Sequence, residues 1–361
     1  MARPNQALLN LNALRHNAGV ARALAPTSRL MAVVKANGYG HGAVAVARGL
    51  EPVVDALAVA CIEEAVELRD NDIAAPILLL EGIFEARELV TAAELGLWIT
   101  IDNQWQLQWL EEASLPAPLH CWLKVDTGMH RLGVAPEQTA DFYRRLCQCD
   151  NSTDQPVLST HFASADDLDS EQTLQQMRTF DMACKGLDGL RSAANSPGLL
   201  AWPASHLDWV RPGYMLYGNS PFSEPHPNSE SLEPVMTLTS AVISLREVAT
   251  GESVGYAASW TAARPSRIAT VTIGYGDGYP RSAVNGTPVL VNGQLAPLAG
   301  RVSMDMITVD VTELGDVQVG DEVVLWGKGL PVGEVARHAN SIGYELTTRM
   351  PMRTPRVVVN E

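Results

Sequence analysis

Lysine is rare in this chain, and one lysine stands where a charge is not expected. The four lysines are Lys35, Lys124, Lys185 and Lys328, so arginine carries nearly all of the positive charge. Lys35 directly follows an apolar run at residues 30–34 (LMAVV), which is typical of a strand buried on both faces. A glycine-rich turn, ANGYGHG, comes next. Because a lone amine at the end of a buried strand can form a Schiff base with a carbonyl compound, Lys35 is a candidate nucleophile.

Other polar residues end further apolar runs along the chain. Arg131 follows the fifth run and His161 lies near the end of the sixth. Asn195 and Ser196 end the seventh run, and Arg211 belongs to the eighth. If these runs are the strands of one barrel, their carboxyl ends meet at a single rim, where barrel enzymes carry their active sites. We therefore expect these side chains to face one site.

The last two runs could also supply an anion site beside the lysine. Loops after the seventh and eighth strands of barrels often bind phosphate, and here they hold Asn195, Ser196 and the Gly213–Tyr214 backbone. In a closed barrel the eighth strand neighbours the first, so a phosphate held there would lie near the Lys35 amine. A phosphate group combined with a Schiff-base lysine suggests pyridoxal phosphate as the cofactor.

The element that must position these residues is a barrel. Short apolar runs alternate with amphipathic segments from residue 29 to about 218, and eight strand–helix units are what a (β/α)₈ barrel requires. The runs occupy residues 30–34, 56–60, 76–80, 97–101, 121–125, 157–162, 190–195 and 209–217. A doubly wound open sheet would carry a G-x-G-x-x-G fingerprint after an early strand, and none occurs there. The barrel is favoured.

The chain changes character after residue 219. Residues 220–233 are rich in Pro, Ser and Glu, as in a linker or long loop. From about residue 234, alternating or β-branched runs separated by glycine-bearing turns predict a mainly β domain, with one helix at 332–342 and a closing strand at 355–359. We therefore divide the chain into a barrel (1–232) and a β domain (233–361).

Composition favours a small partner. The formal charge of −15 argues against nucleic acid or an anionic membrane surface. No apolar stretch of about eighteen residues occurs, and the N-terminal segment lacks the apolar core and cleavage site of a signal peptide, so we expect a cytoplasmic protein without a membrane partner. The five cysteines are an odd number without a C-x-x-C pair, which favours free thiols, and we expect no metal site.

The segment VVKANGYGHG resembles the pyridoxal-phosphate attachment motif of alanine racemases. The similarity extends, in the family's order, to LKVDTGMHRLG, RPGYMLYG, VGYAASW, GYGDGYPR and GRVSMDM, and so covers nearly the whole chain. It implies a barrel followed by a β domain, a homodimer with active sites shared across the interface, and interconversion of L- and D-alanine. D-alanine is a peptidoglycan precursor, and the sequence leaves a biosynthetic or a catabolic role open, as it does activity on serine.

The resemblance also implies the two catalytic bases. Lys35 would hold the cofactor as an aldimine and act as one base, while Tyr256 of the other subunit would act from the opposite side. Inverting a Cα centre needs a proton removed on one face and another delivered on the other, so two opposed bases suit the reaction. A tyrosine accepts a proton only where cationic neighbours or hydrogen bonds favour it, and His161 would lie near Tyr256 and Arg211.

Further roles follow from the same motifs. The residues implied to hold the phosphate are Tyr39, Ser196, Gly213, Tyr214 and Tyr344. Arg131 and the Met304 backbone would orient the substrate carboxylate, while Tyr275 and Asp305 would line the entrance. In similar racemases the lysine at the position of Lys124 can be carbamylated and then orients the nearby arginine, here Arg131.

Arg211 would face the pyridine nitrogen, where many enzymes with this cofactor place a carboxylate. A guanidinium only donates and does not deprotonate, so the ring nitrogen should stay unprotonated, which favours racemisation over transamination. Two positions depart from some family members. Ser192 replaces a histidine that can support Arg211, and Ser303 stands where others have cysteine. The first departure leaves the support of Arg211 open.

Two other functions compete with racemisation. A decarboxylase of the same fold type would place an acidic residue at the ring nitrogen and a glycine-rich phosphate loop after a late strand, and both Arg211 and NSPG differ from that pattern. A pyridoxal-phosphate carrier would need Lys35 and the phosphate site, but not Tyr256 or a β domain. Since fold alone does not establish function, the pair of bases decides in favour of the racemase.

Overall fold

The computed structural model describes residues 3–359, apart from the side chain of Asp154. It opens with strand β1 (Gln6–Asn10) and the helix Leu11–Leu24. Asn10 has extended backbone angles, and its side-chain oxygen accepts the N–H groups of Asn12 (2.9 Å) and Ala13 (3.0 Å). This N-cap explains why the strand changes to a helix at residue 11.

Eight parallel strands close into a barrel in sequence order. They are β2 (Arg29–Val33), β3 (Ala56–Val59), β4 (Ile77–Leu79), β5 (Trp98–Ile101), β6 (Leu119–Lys124), β7 (Ser152–Ser159), β8 (Arg191–Ser192) and β9 (Trp209–Val210). The helices between them are Ala43–Leu50, Ile62–Asp70, Glu88–Glu94, Gln104–Glu112, Thr139–Gln148, Gln172–Ala183 and Ser196–Ala201. The predicted (β/α)₈ barrel is confirmed, although β8 and β9 have only two residues each. After β8 and β9 the remainder of each run continues at the rim, where Tyr214–Tyr217 forms a 3-10 helix.

The barrel interior is filled by side chains from alternate strand positions. Trp122 and Trp209 meet edge to face with ring centroids 5.7 Å apart, and both are almost fully buried. They pack with Met31, Val33 and Leu78 in one buried cluster. Because Trp122 and Leu78 also line the cavity at the rim, this packing sets how far the cavity extends into the barrel.

The second half of the chain forms the predicted β domain. Its strands are β10 (Met236–Val248), β11 (Ser253–Val254), β12 (Trp260–Thr261), β13 (Ser266–Val271), β14 (Pro288–Val291), β15 (Gln294–Pro297), β16 (Ile307–Asp310), β17 (Glu322–Trp326) and β18 (Arg356–Val359). Two helices, Val332–His338 and Gly343–Thr348, precede β18. Strand β10 pairs with β17 through its first half and with β13 through its second half, with register shifts in both pairings. These irregularities let one long strand serve two parts of the sheet.

Strand β1 belongs to a different domain from the one that the predicted boundary between residues 232 and 233 assigns to it. That division places β1 with the barrel, whereas β1 pairs antiparallel with β10 and parallel with β18. Ala7 and Leu9 point into the core of the β domain and are buried there. The alternating burial of Gln6–Asn10 suits a sheet with one covered face, so both ends of the chain build this domain.

Between residues 3 and 359, no helix has the length and apolar character needed to cross a membrane.

Candidate active site

A cavity of about 610 Å³ opens at the carboxyl ends of the barrel strands. Its wall includes most of the residues that the sequence singled out: Lys35, Tyr39, Lys124, Arg131, His161, Asn195, Ser196, Arg211, Gly213, Tyr214 and Tyr344. All but Tyr344 come from the barrel or its loops, and Tyr344 comes from the helix Gly343–Thr348 of the β domain. The strand-end residues therefore do converge, as a barrel requires. Their individual roles remain predictions.

The backbone after Lys35 turns through a left-handed helix. Ala36, Asn37, Gly38 and Tyr39 have φ angles of 52°, 54°, 60° and 51°. The amide of Gly38 donates to Val34 O at 2.8 Å and that of Gly40 to Ala36 O at 2.9 Å. A left-handed turn costs about 1–2 kcal/mol for each residue that has a Cβ. Several consecutive residues with positive φ directly after Lys35 indicate a strained conformation that the rest of the fold must enforce.

Two contacts fasten the beginning and the end of this turn. The Glu64 carboxylate accepts the N–H of Ala36 at 2.6 Å and that of Ala60 at 2.8 Å, which ties the turn to the loop after β3. At the other end, Gly40 has φ +82°, and a Cβ there would stand 1.8 Å from Thr347 O. Only glycine allows the β-domain helix to approach so closely.

Aromatic rings and small residues surround one end of the cavity. Tyr214 and Tyr344 stack with centroids 3.6 Å apart, and the Tyr39 ring lies 6.3 Å from that of Tyr344. Burial raises the pKa of Tyr39 to about 12 and that of both other phenols well above the usual range, so all three stay protonated and can donate. Ser196 Oγ accepts the amide of Gly213 at 3.0 Å. This end can offer several neutral donors to an anion.

Arg211 is a buried cation held by oxygen acceptors. Its Nη2 donates to Thr160 O at 2.6 Å and to Ala193 O at 3.3 Å, while Nη1 donates to the Ser192 hydroxyl. Ser192 in turn donates to Trp209 O at 2.8 Å. Burial lowers the pKa of Arg211 to about 10, which still leaves it protonated near neutral pH. Ser192 therefore contacts Arg211 and contributes to its support, a point that the sequence left open.

Several basic groups lie together in the cavity. Burial, then the charges of Arg211, Lys124, Arg131 and Lys35, hold the pKa of His161 well below its ordinary value, so its imidazole is neutral. Burial and the nearby Arg211 also lower the pKa of Lys124 to about 8. A cavity with this much positive charge suits an anionic ligand.

Arg131 reaches the cavity from a closed loop after β6. The Asp126 carboxylate accepts the amides of Gly128 (3.0 Å), Met129 (3.1 Å) and His130 (3.0 Å). The loop closes where the Val134 amide donates to Lys124 O at 2.9 Å. These hydrogen bonds hold the backbone of the loop that carries Arg131, although the Arg131 side chain is exposed.

Four predicted residues of the β domain lie elsewhere. Among the described residues, those that line the cavity do not include Tyr256, Met304, Tyr275 or Asp305. Tyr256 is 67% exposed, Met304 53% and Tyr275 42%. The amide of Tyr275 donates to Ser303 O at 3.0 Å, and that of Gly276 to Met304 O at 2.9 Å. Tyr275 and Met304 therefore share one exposed surface of the β domain, away from the cavity of their own chain.

Comparison with known protein families accounts for both halves of the molecule. Residues 9–221 match the family model of the alanine racemase N-terminal domain, and residues 235–358 match that of the alanine racemase C-terminal domain. The two matches together span nearly all of the chain.

The chain belongs to the alanine racemase family.

Individual alanine racemases are similar over their full length. The chain is 50% identical to the catabolic alanine racemase of Pseudomonas putida, over 99% of this chain and 100% of the relative. It is 51% identical to the alanine racemase of Vibrio cholerae, over 96% of each. The crystal structure of biosynthetic alanine racemase from Pseudomonas aeruginosa superposes with a TM-score of 0.95 at 48% identity, covering 99% of this chain and 100% of that one.

Some residues at or near the cavity of this alanine racemase family member were not predicted from the sequence. Glu81 lines it and directly follows the run at 76–80, so the same strand-end argument could have found it. Thr160 also lines the cavity and accepts from Arg211 through its carbonyl, a contact that no side-chain pattern reveals. Glu64 holds the turn after Lys35 from a helix, and nothing in the sequence marks it out from other helical glutamates.

Proposed function

We propose that this protein interconverts L- and D-alanine with pyridoxal phosphate bound in the cavity, as a homodimer in which each site combines Lys35 of one subunit with Tyr256 of its partner. The observation that carries the proposal is the presence of the Lys35 amine and the buried Arg211 guanidinium at one cavity of a chain similar to alanine racemases throughout its length.

The residues around the cavity fit this cofactor. Its phosphate would lie among Tyr39, Tyr214, Tyr344 and Ser196, where neutral donors converge. A Cβ on Gly213 would stand 2.5 Å from the Tyr39 hydroxyl, so the lack of a side chain there keeps this end open. Lys35 would bind the aldehyde carbon. When bound, pyridoxal phosphate acts as an electron sink that eases removal of the Cα proton.

The chain's own groups would then move two protons at Cα. The Lys35 amine exchanges a proton with Cα on one face, and the Tyr256 hydroxyl exchanges one on the opposite face, so one proton leaves and one arrives in each turnover. Tyr256 is largely exposed and does not line the cavity of its own chain, which supports its delivery to a partner's site. A C2 dimer would complete both sites with the same contact.

Arg211 would donate to the pyridine nitrogen. Its guanidinium is held by the Thr160 and Ala193 carbonyls, which require it as a donor. A carboxylate at this position would be repelled by those same oxygens. Arg211 would therefore donate a hydrogen bond to the ring nitrogen without protonating it, which would favour return of the proton to Cα over transfer to another carbon. The same feature argues against a decarboxylase that uses an acidic residue here.

The substrate carboxylate would bind Arg131 of one subunit and the Met304 backbone of the other. The Met304 carbonyl accepts from Gly276, so the Met304 group able to bind a carboxylate is its N–H. Lys124 lies near Arg131, and its lowered pKa leaves more neutral amine to react with carbon dioxide than an ordinary lysine has. A carbamate on Lys124 would then orient the Arg131 guanidinium as an anionic partner.

The side chain of the substrate should be small. Tyr344 lines the cavity, and Tyr275 of the partner subunit would narrow the entrance together with Asp305. Exclusion by size is worth about 1–3 kcal/mol for each methylene, so serine is expected to be a slow second substrate rather than an excluded one.

In this proposal the protein acts in the cytoplasm. All five cysteines are free in the structure, which suits a reducing compartment. Relatives called catabolic and biosynthetic are almost equally similar to this chain, at 50% and 48% identity, so supply of D-alanine as a peptidoglycan precursor is one of two roles that the reaction could serve.

A racemase assay on a panel of L- and D-amino acids, with the visible absorbance of the cofactor recorded alongside, tests the proposal. Alanine should be racemised fastest in both directions, serine slowly and large amino acids hardly at all. Release of carbon dioxide without racemisation would support the decarboxylase, and bound cofactor without any turnover would support the carrier.

A further inference from the structure

The left-handed turn after Lys35 ends in three successive carbonyl groups, and two side chains donate hydrogen bonds to them. His41 Nδ1 lies 3.1 Å from Gly38 O and 2.9 Å from Tyr39 O. Arg356 donates to Gly40 O from Nε at 3.1 Å and from Nη2 at 3.0 Å. The end of a helix normally leaves its last carbonyls without partners in the helix. Gly38 O also accepts the His41 amide at 3.0 Å, so the side chains add a donor there and supply donors to Tyr39 O and Gly40 O.

His41 acts from within the turn. Both of its Nδ1 contacts are carbonyl oxygens, which accept only, so Nδ1 carries the hydrogen. Its ring is buried and packs against Tyr217, with centroids 4.6 Å apart. Burial is the main cause that lowers the pKa of His41 to about 4, so the side chain remains a neutral donor across the working range of pH.

Arg356 acts from the other domain. It begins strand β18 and is half-buried. Besides Gly40 O, its guanidinium donates to Pro351 O at 2.6 Å, Thr354 O at 3.1 Å and Met350 O at 2.6 Å. The same group thus joins the barrel turn to the segment that follows the helix Gly343–Thr348, which carries Tyr344 into the cavity. A planar guanidinium can reach all these oxygens, whereas a single ammonium cannot.

We propose that Arg356 and His41 are positioning residues that hold the left-handed turn after Lys35, and that Arg356 thereby makes the placement of Lys35 and Tyr39 depend on the docked β domain. The inference rests on the proposed function only in taking Lys35 and Tyr39 as cofactor ligands. Neither side chain is among the described residues that line the cavity, so both would act through the backbone between residues 36 and 40.

Arg356→Met and His41→Phe test this, since each keeps the bulk of its side chain and removes the donors. Arg349→Met is the matched control, because Arg349 lies just after the same helix and pairs with Glu345 at the surface. In the apoprotein, hydrogen exchange of the Gly38 and Gly40 amides should accelerate at least tenfold in both test variants and stay unchanged in the control. Arg356→Lys, which keeps the charge and one donor nitrogen, should give an intermediate rate.

Cofactor binding provides the second measurement. The dissociation constant of pyridoxal phosphate should rise about tenfold or more in Arg356→Met and His41→Phe, with kcat falling more than KM changes. Unchanged exchange at Gly38 and Gly40 in either variant that folds would overturn the proposal. Because exchange is measured without the cofactor, that result differs from a failure of the proposed function, which would appear as a wild-type protein that does not racemise alanine.

Discussion

The Tyr39 hydroxyl lies so close to Gly213 that a Cβ on Gly213 would stand 2.5 Å from it. Tyr39 ends the left-handed turn after the first barrel strand, and Gly213 follows the last strand, so this contact joins the two sides of the seam where the barrel closes. Both residues belong to the end of the cavity that we assign to the phosphate.

Gly213→Ala should displace the Tyr39 ring and weaken cofactor binding. Overpacking of this kind costs about 1–3 kcal/mol, so we expect the dissociation constant of pyridoxal phosphate to rise roughly 5- to 150-fold in an absorbance titration. Gly19→Ala is the matched control, since nothing lies within 4 Å of a Cβ at that helical glycine. Equal affinity of both variants would show that this end of the cavity does not hold the cofactor.

Lys35→Ala should abolish the absorbance of the covalently bound cofactor and reduce racemisation by about 10²–10⁴-fold or more, because it removes both the attachment point and one base. Folding should survive, as judged by circular dichroism. The exposed Lys185, replaced by Ala, serves as the control. An active Lys35→Ala variant that keeps its bound chromophore would remove the central assignment.

Arg211→Glu should slow racemisation at least about tenfold and increase transamination. It exchanges a donor for a group that favours protonation of the ring nitrogen, and a hydrogen bond to a charged group is worth about 1.5–3 kcal/mol. Pyruvate formed from alanine measures the side reaction. Arg211→Gln retains a neutral donor and should slow racemisation without raising pyruvate. If pyruvate stays at the wild-type level in Arg211→Glu, the electronic argument fails.

Lys124→Met should stabilise the apoprotein at pH 7 in buffer free of carbon dioxide. Burial lowers the pKa of Lys124 from 10.5 to about 8, so a buried charge opposes folding below pH 8. Between about pH 8 and 10.5 the unfolded chain binds a proton that the folded chain has lost, so wild-type stability rises with pH and the advantage of Lys124→Met shrinks. Urea unfolding at pH 7 and pH 10 measures this change, with Lys185→Met as the control.

Added bicarbonate should raise the stability of the wild-type protein but not that of Lys124→Met, since a carbamate on Lys124 would be anionic beside Arg131. A stability difference independent of pH would contradict the prediction.

Mixing two inactive homodimers, Lys35→Ala and Tyr256→Phe, should restore activity after dissociation and reassociation. In a mixed dimer one site pairs the intact Lys35 of one chain with the intact Tyr256 of its partner, and the other site carries both lesions. Random pairing puts about half of the dimers in the mixed form, so roughly one quarter of wild-type activity should return. Persistent inactivity, with mixed dimers confirmed by mass, would place both residues in the site of one chain.

Much of the fold was accessible from the sequence because its signals are local. Short apolar runs, the eighth weaker than the others, predicted all eight barrel strands, and β-branched runs predicted the later sheet. The ends of the runs located Lys35, His161 and Arg211 at one rim, since parallel strands of a barrel all end on the same side. The family resemblance then suggested roles that no spacing of residues could suggest, such as the proposed role of Tyr256.

The tertiary structure decided what depends on contacts between distant segments. Strand β1 joins the β domain because its buried face matches strands more than 200 residues away. The Ser192 hydroxyl accepts from Arg211 because two adjacent short strands bring them together, whereas the residue type alone left that support open. The turn after Lys35 is left-handed although three of its four residues carry a Cβ. Local preference opposes that conformation, and the side chains of Glu64 and Arg356, which bond to the turn from distant segments, could not be identified from the local sequence.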